Sequence, residues 1–152
     1  MKNNVSEYLV VLDLRSINRD QEGLPDVVEM TLDRLPDGGL LKLIASAETV
    51  GIGGLLEERY RVYKRKWSDS QVDYEILTAS TPETLDLTEL EAPGPMERIL
   101  SAGVQMNPGD ILFARVPRVP TMLFPHLEAR NLSWSVHEEP DLTALLVVRK
   151  EA

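Results

Sequence analysis

The chain has 152 residues, a formal net charge of -9 and no cysteine. Its 43% hydrophobic and 27% charged residues are ordinary for a folded protein, which excludes a wholly disordered chain. The acidic balance argues against general binding to nucleic acid or to an anionic membrane. The longest apolar run, Tyr8 to Leu12, is too short for a membrane span or a signal peptide, so we predict a cytoplasmic protein.

Three motifs recur along the chain at nearly constant offsets of 71 to 73 residues. The pairs are Leu12-Asp13-Leu14 with Leu85-Asp86-Leu87, Leu35–Leu41 with Met106–Leu112, and Leu56–Arg59 with Leu127–Arg130. A constant offset is the sign of an internal repeat. We therefore predict two related halves, residues 1–79 and 80–152, with a link at Thr78–Thr84.

The first half is predicted to alternate strands and helices and to close with a hairpin. Apolar runs, helical spacing, and the Pro-Asp-Gly-Gly turn at Pro36–Gly39 set the predicted bounds. The predicted elements are a strand at Tyr8–Leu14, a helix from Gly23 to Leu35, a strand at Leu40–Ala45, a weaker helix at Gly51–Tyr60, and strands at Tyr60–Trp67 and Val72–Leu77.

The second half is predicted to repeat that order. Its elements are a strand at Leu85–Leu87, a helix from Pro93 or Pro95 to Gln105, a strand at Ile111–Val116, a helix centred on Leu127, and strands at Ser133–His137 and Leu142–Arg149. The fold class is therefore α+β, as two tandem β-α-β-α-β-β two-layer sandwiches. Continuously apolar strands are typical of burial on both faces, so we expect the other half or another subunit to cover the second face of each sheet.

A family resemblance rests on two stretches of the second half. The first is Leu85–Met96 with its Ala92-Pro93-Gly94-Pro95 helix start and the later Asn107-Pro108-Gly109-Asp110 turn, and it resembles the TusA/SirA sulfur-carrier family. The second, Leu127–Trp134, resembles an uncharacterised TusA-like branch, domain of unknown function 2249. The resemblance implies the same sandwich fold. It also implies partner proteins that dock at the helix start, and a link to redox or respiratory metabolism.

The carriers place a cysteine directly before the first proline of that helix start, and this chain has Ala92 there. A methyl group holds no persulfide, so we expect no sulfur transfer and a chain more suited to interaction than to catalysis. The leading hypothesis is a regulatory or assembly module that needs no cofactor. Its partner is an unidentified protein, with a homodimer as an alternative. The predicted binding residues of the helix start are Ala92, Pro93, Pro95 and Met96.

Two alternatives remain open. Arg115 and Arg118 flank Pro117 and could hold a carboxylate or phosphate, which would make the chain a small-molecule or anion-binding protein or enzyme. The segment Arg59–Trp67 interleaves basic and aromatic residues, a pattern that grips single-stranded RNA. Its competing interpretation is an edge strand whose Lys and Arg residues block pairing while Tyr63 and Trp67 are packed.

The remaining candidates are weak. The two histidines, His126 and His137, have no spacing typical of a metal site, so we expect surface or partly packed imidazoles and no metal. The glycines of Gly51-Ile52-Gly53-Gly54 lack the Gly-Lys-Ser/Thr of a phosphate-binding loop, which favours a plain turn.

Overall fold

The computed structural model describes residues 5–15, 24–46 and 59–152. The chain divides into two compact units. The N-terminal unit is Glu7–Thr81, and the C-terminal unit is Pro82–Ala152 with the described residues Val5 and Ser6.

The N-terminal unit contains one four-stranded sheet and, in its described part, one α-helix. A 3₁₀-helix at Val5–Tyr8 leads into the first strand. The elements are β1 (Leu9–Asp13), α1 (Leu24–Asp33), β2 (Leu40–Ala45), β3 (Arg61–Ser68) and β4 (Gln71–Leu77). The strand order is β1-β2-β4-β3, with β1 parallel to β2 and the other pairs antiparallel. The predicted helix at Gly51–Tyr60 and its glycine-rich start lie almost entirely outside the described residues.

The turn before β2 explains why that strand begins where it does. Gly38 adopts a φ of 86°, a conformation that glycine reaches without steric cost, and the Gly39 amide donates to the Pro36 carbonyl over 2.9 Å. Beyond the turn, every residue of β2 is buried. Val28 and Leu32 of α1 join the alternate residues of β2 in one apolar core, each buried side chain contributing about 1.5–3 kcal/mol.

A buried ionic cluster lies on the other face of β2. The Lys42 ammonium is fully buried, 3.0 Å from the Glu75 carboxylate and 3.5 Å from that of Asp73. Asp73 also accepts hydrogen bonds from the Trp67 indole at 2.8 Å and the Gln71 amide at 3.2 Å. These contacts offset the cost of removing the Lys42 charge from water. Removal of one carboxylate would leave that charge poorly compensated and would strongly destabilise the fold.

The C-terminal unit has a second four-stranded sheet with the same order of connections. Its elements are β5 (Leu85–Asp86), α2 (Gly94–Gln105), β6 (Ile111–Val116), α3 (Phe124–Ala129), β7 (Leu132–Glu138) and β8 (Ala144–Lys150). The strand order is β5-β6-β8-β7, again with the first pair parallel and the others antiparallel. The described chain is therefore α+β, with two four-stranded sheets and three α-helices.

The helices of the C-terminal unit lie on one face of its sheet. Ile99 of α2 and Leu127 of α3 are fully buried in one core with alternate residues of β6 and β8. At the margin of this core the ring of Phe124 stacks on Trp134 with 5.0 Å between centroids. These contacts fix the helix starts against the sheet, and both helix starts border the groove described below.

The start of the last strand was predicted two residues too early. The last strand begins at Ala144, whereas Leu142 was predicted to open it. Leu142 is exposed with a φ of 72°, and the amide and hydroxyl of Thr143 both donate to the Asp141 carboxylate, at 3.0 and 2.5 Å. This side-chain turn competes with strand pairing and delays β8 by two residues.

Within the described residues, the helices are too short and too polar to cross a bilayer.

Candidate functional site

One wall of the candidate site is the corner between β5 and α2, residues 87–96. The Asp86 carboxylate accepts hydrogen bonds from the amide and hydroxyl of Thr88, at 3.1 and 2.6 Å, and this turn ends β5. The Gly94 amide then donates to the Glu91 carbonyl over 2.7 Å, which folds the chain into the helix start. A Cβ on Gly94 would lie 3.3 Å from that of Leu90, so the tight corner favours glycine there.

Proline shapes the beginning of α2. Pro93 precedes the helix with a cis Ala92–Pro93 bond, and Pro95 occupies its first turn. Backbone amides in the first turn of a helix have no hydrogen-bond partner within the helix, so a proline there loses no helical hydrogen bond. The Glu97 amide donates to the Pro93 carbonyl over 3.0 Å, so the corner and the helix form one continuous structure.

The opposite wall is the loop between β6 and α3, residues 117–123. Two turns shape it: the Thr121 amide donates to the Val119 carbonyl at 3.0 Å, and the Leu123 amide donates to the Pro120 carbonyl at 2.9 Å. Leu123 is buried in the core and anchors the end of the loop. Met122, one residue earlier, is 82% exposed.

Between these walls lies an open groove of about 660 Å³, which we call the corner groove. It is lined by residues 90–93, 95, 96 and 116–123. The lining is mainly aliphatic, proline and methionine, and its only charged members are Glu91 and Arg118. Methionine side chains adapt their shape to different apolar partners, so Met96 and Met122 suit this surface to a flexible apolar ligand.

The charges around the corner groove are unevenly placed. Glu91 is exposed in the lining of the corner wall, Glu89 and Glu97 are exposed close to it in the chain, and Arg118 is exposed on the loop wall. The chain around the corner wall is thus the more acidic side, and Arg118 is the one positive side chain in the lining. A partner that carries positive charge beside an apolar segment would match this pattern.

The predicted binding residues do not all lie together. The structure brings Ala92, Pro93, Pro95, Met96 and Arg118 into the lining of the corner groove. Ala92 is exposed, and Met96 is half-buried and packs against the core.

Arg115, which was singled out together with Arg118, does not line the corner groove. It belongs to β6 and its side chain is buried beside that of Glu139, with 3.4 Å between Nη1 and Oε1. Successive side chains of a strand point to opposite faces of the sheet. Arg115 therefore faces away from its neighbours Ala114 and Val116, which pack in the core on the helix side.

The two histidines lie on different elements of the C-terminal unit. His126 is exposed on α3, where its carbonyl accepts a hydrogen bond from Arg130 at 3.0 Å, and His137 is half-buried in β7. In the described part of the chain, no three His, Asp or Glu residues come together as a metal site would require.

The segment Arg59–Trp67 forms most of β3, which is an edge strand among the described strands of its sheet, as the competing interpretation of this segment expected. Trp67 is half-buried, donates to Asp73, and has the Arg65 guanidinium 5.3 Å above its ring. The prediction that Tyr63 is packed was wrong, because this side chain is 51% exposed.

The C-terminal unit matches one protein family. Residues 84–149 match the family described as Uncharacterized conserved protein (DUF2249), which covers less than half of the chain. No curated protein and no solved structure matches the chain. The matched residues include both walls of the corner groove.

Proposed function

We propose that the chain is a non-catalytic interaction module whose corner groove binds an apolar segment of a partner protein. The observation that carries the proposal is the groove itself, an open, mainly apolar depression between two turns whose conformations are set by proline and hydrogen bonds. A rigid site loses little conformational entropy when a ligand binds.

The exposure of Met122 supports this proposal. A methionine that is 82% exposed beside an apolar groove leaves favourable burial unused in the free chain. Met122 and Ala92 lie on opposite walls, so a segment seated between them would contact both. Leu123, at the end of the loop wall, is buried in the same core as Leu127 and anchors that wall.

The partner segment proposed is apolar with Lys or Arg residues at its flank. The exposed carboxylates of Glu89, Glu91 and Glu97 would attract these residues, and such rim charges mainly raise the rate of association. Because exposed charges are screened by salt, binding should weaken as ionic strength increases.

A small apolar carboxylate is the second candidate ligand, and Arg118 is the observation that favours it. The groove volume of about 660 Å³ falls in the range of small-molecule sites, and a guanidinium on an apolar wall suits a carboxylate. In this alternative Arg118 carries the specificity, whereas in the leading proposal the carboxylates of the corner wall do.

The wider setting is also a proposal. The two sheets share one strand order, which supports two tandem TusA-like sandwiches. A chain without a thiol has no group to carry a persulfide, which supports a role without sulfur transfer, in regulation or assembly of a redox or respiratory system. A cytoplasmic location belongs to the same proposal.

A randomised peptide library selected on the full chain tests the proposal. The selection is followed by counter-selection against the double variant Ala92→Arg/Met122→Glu. Both positions are exposed, so the variant should fold, whereas Met96 packs against the core and is left unchanged. Selected peptides should combine an apolar run with Lys or Arg and should lose most of their affinity for the double variant.

Peptides that bind the double variant as tightly as the original chain would place docking outside the corner groove.

Decanoate provides the test of the second candidate. The small-carboxylate site would be favoured if decanoate bound the original chain but not the variant Arg118→Leu, and if the library gave no selected peptide.

A further inference from the structure

We propose that the partner segment bound by the corner groove is an amphipathic helix, with an apolar face seated in the groove and Lys or Arg along one flank of that face. This inference rests on the function proposed for the groove and specifies the conformation of its occupant. An apolar segment binds a protein surface either as an extended strand or as a helix, and the two conformations place different demands on the walls.

The walls of the corner groove are turns and not strand edges. Residues 87–96 run from the end of β5 into α2, and residues 117–123 join β6 to α3. An added strand needs an extended neighbour whose amides and carbonyls face it at every second residue. A wall made of turns does not present backbone groups at that regular spacing.

The backbone amides of the loop wall are interrupted in both alternate sets. In the odd-numbered set Pro117 has no amide, and the amides of Thr121 and Leu123 donate to carbonyls of the same loop, at 3.0 and 2.9 Å. In the even-numbered set Pro120 has no amide and stands at the centre. Neither set offers two successive donors to an added strand.

The corner wall is interrupted in the same way. Pro93 and Pro95 have no amide, and the amides of Leu90 and Gly94 donate to carbonyls within the wall, at 3.2 and 2.7 Å. An extended segment would therefore bury backbone amides and carbonyls against an apolar surface without partners, which is costly. A helix pairs its backbone groups internally and needs only an apolar surface to bind.

The lining and the charges suit one face of such a helix. Helices that bind in grooves insert apolar side chains at the spacing i, i+3, i+4 and i+7, and the flexible side chains of Met96 and Met122 can adapt to them. Glu91 is exposed in the corner wall, and Arg118 is exposed in the loop wall. Attraction for Lys or Arg is therefore confined to the corner side, which places the basic residues of the helix on one flank.

The test compares two labelled peptides of about 18 residues, or five helical turns, by fluorescence anisotropy on the full chain. Both have the same composition of Leu, Lys and Gln. One repeats Leu at helical spacing, and the other alternates Leu with polar residues. The helical peptide should bind at least tenfold more tightly and should lose most of its affinity for Ala92→Arg/Met122→Glu. Val104→Glu is the matched control and should leave binding unchanged, because Val104 is exposed on α2 outside the groove.

A proline in the helical peptide keeps the test informative even if the double variant fails to fold. Proline at a central polar position breaks a helix, so it should weaken binding to the original chain by about 100-fold. Alanine at the same position should leave binding in place. An unchanged Kd of the proline peptide would overturn the helical occupant.

The failure of this inference is distinguishable from the failure of the proposed function. Tighter binding of the alternating peptide, lost in Ala92→Arg/Met122→Glu, would overturn the helix and leave docking in the groove intact. Equal binding to the double variant, or an equal loss in Val104→Glu, would place docking elsewhere and overturn both. No binding of either designed peptide would overturn the helix, and the peptide library would then decide the docking function on its own.

Discussion

Met122→Gln is the substitution that separates docking from folding most cleanly. Met122 is 82% exposed on the loop wall of the corner groove, and glutamine has nearly the same length but a polar end. Complete burial of a methionine side chain is worth about 1.5–3 kcal/mol, so burial of the exposed part by a partner would contribute about 1.2–2.5 kcal/mol. We therefore expect the Kd of a selected peptide to rise by roughly 8- to 70-fold.

The free energy of unfolding should change little, because surface substitutions usually stay within about 0.5 kcal/mol. Val104→Gln is the matched control: Val104 is 73% exposed in the same unit, on α2, and does not line the groove. Peptide affinity is measured by anisotropy and stability by urea unfolding. An unchanged Kd in Met122→Gln, or an equal rise in Val104→Gln, would refute burial of Met122 by the partner.

Three further substitutions test the fold. Ile99→Ala should lower the stability of the C-terminal unit by about 2–5 kcal/mol in urea unfolding followed by Trp134 fluorescence, because Ile99 is fully buried in the core; a loss below about 1 kcal/mol would contradict that packing. Gly109→Ala should cost about 1–2 kcal/mol from backbone strain alone, since Gly109 has a φ of 91° and open space around its Cα. The hydrogen-bonded Arg15 guanidinium lowers the pKa of Asp13, so this pair stabilises the fold above about pH 4 and the contribution is lost as the pH falls through the lowered pKa. Asp13→Asn should therefore be less stable than the original chain at neutral pH and equal to it in strong acid, and a constant difference across the titration would contradict the pair.

The strands bounded by strong turns were predicted best. β2 and β6 have the predicted ends, and each begins just after a turn with a glycine at positive φ. The local pattern is enough to locate the start of such a strand, because the proline and glycine before it favour a turn at that point.

The sequence predicted residues in both walls of the corner groove but not the meeting of the two walls. Each wall contains residues that were singled out, but their meeting depends on the parallel pairing of β5 with β6, which no local pattern specifies. Arg115 was paired with Arg118 although the predicted strand Ile111–Val116 already contains it. Its two neighbours within β6 are apolar and face the helices, and applying strand alternation to Ala114, Arg115 and Val116 would have separated it from Arg118.

Methionine-methyl NMR tests the central claim that the corner groove is the docking surface. Met96 and Met122 line the groove, whereas Met106 packs against the core outside it and Met30 belongs to α1 of the N-terminal unit. Titration with a selected peptide should shift the methyl signals of Met96 and Met122 and leave those of Met106 and Met30 in place. Shifts confined to Met30 or Met106, with Met96 and Met122 unmoved at saturation, would contradict docking in the groove.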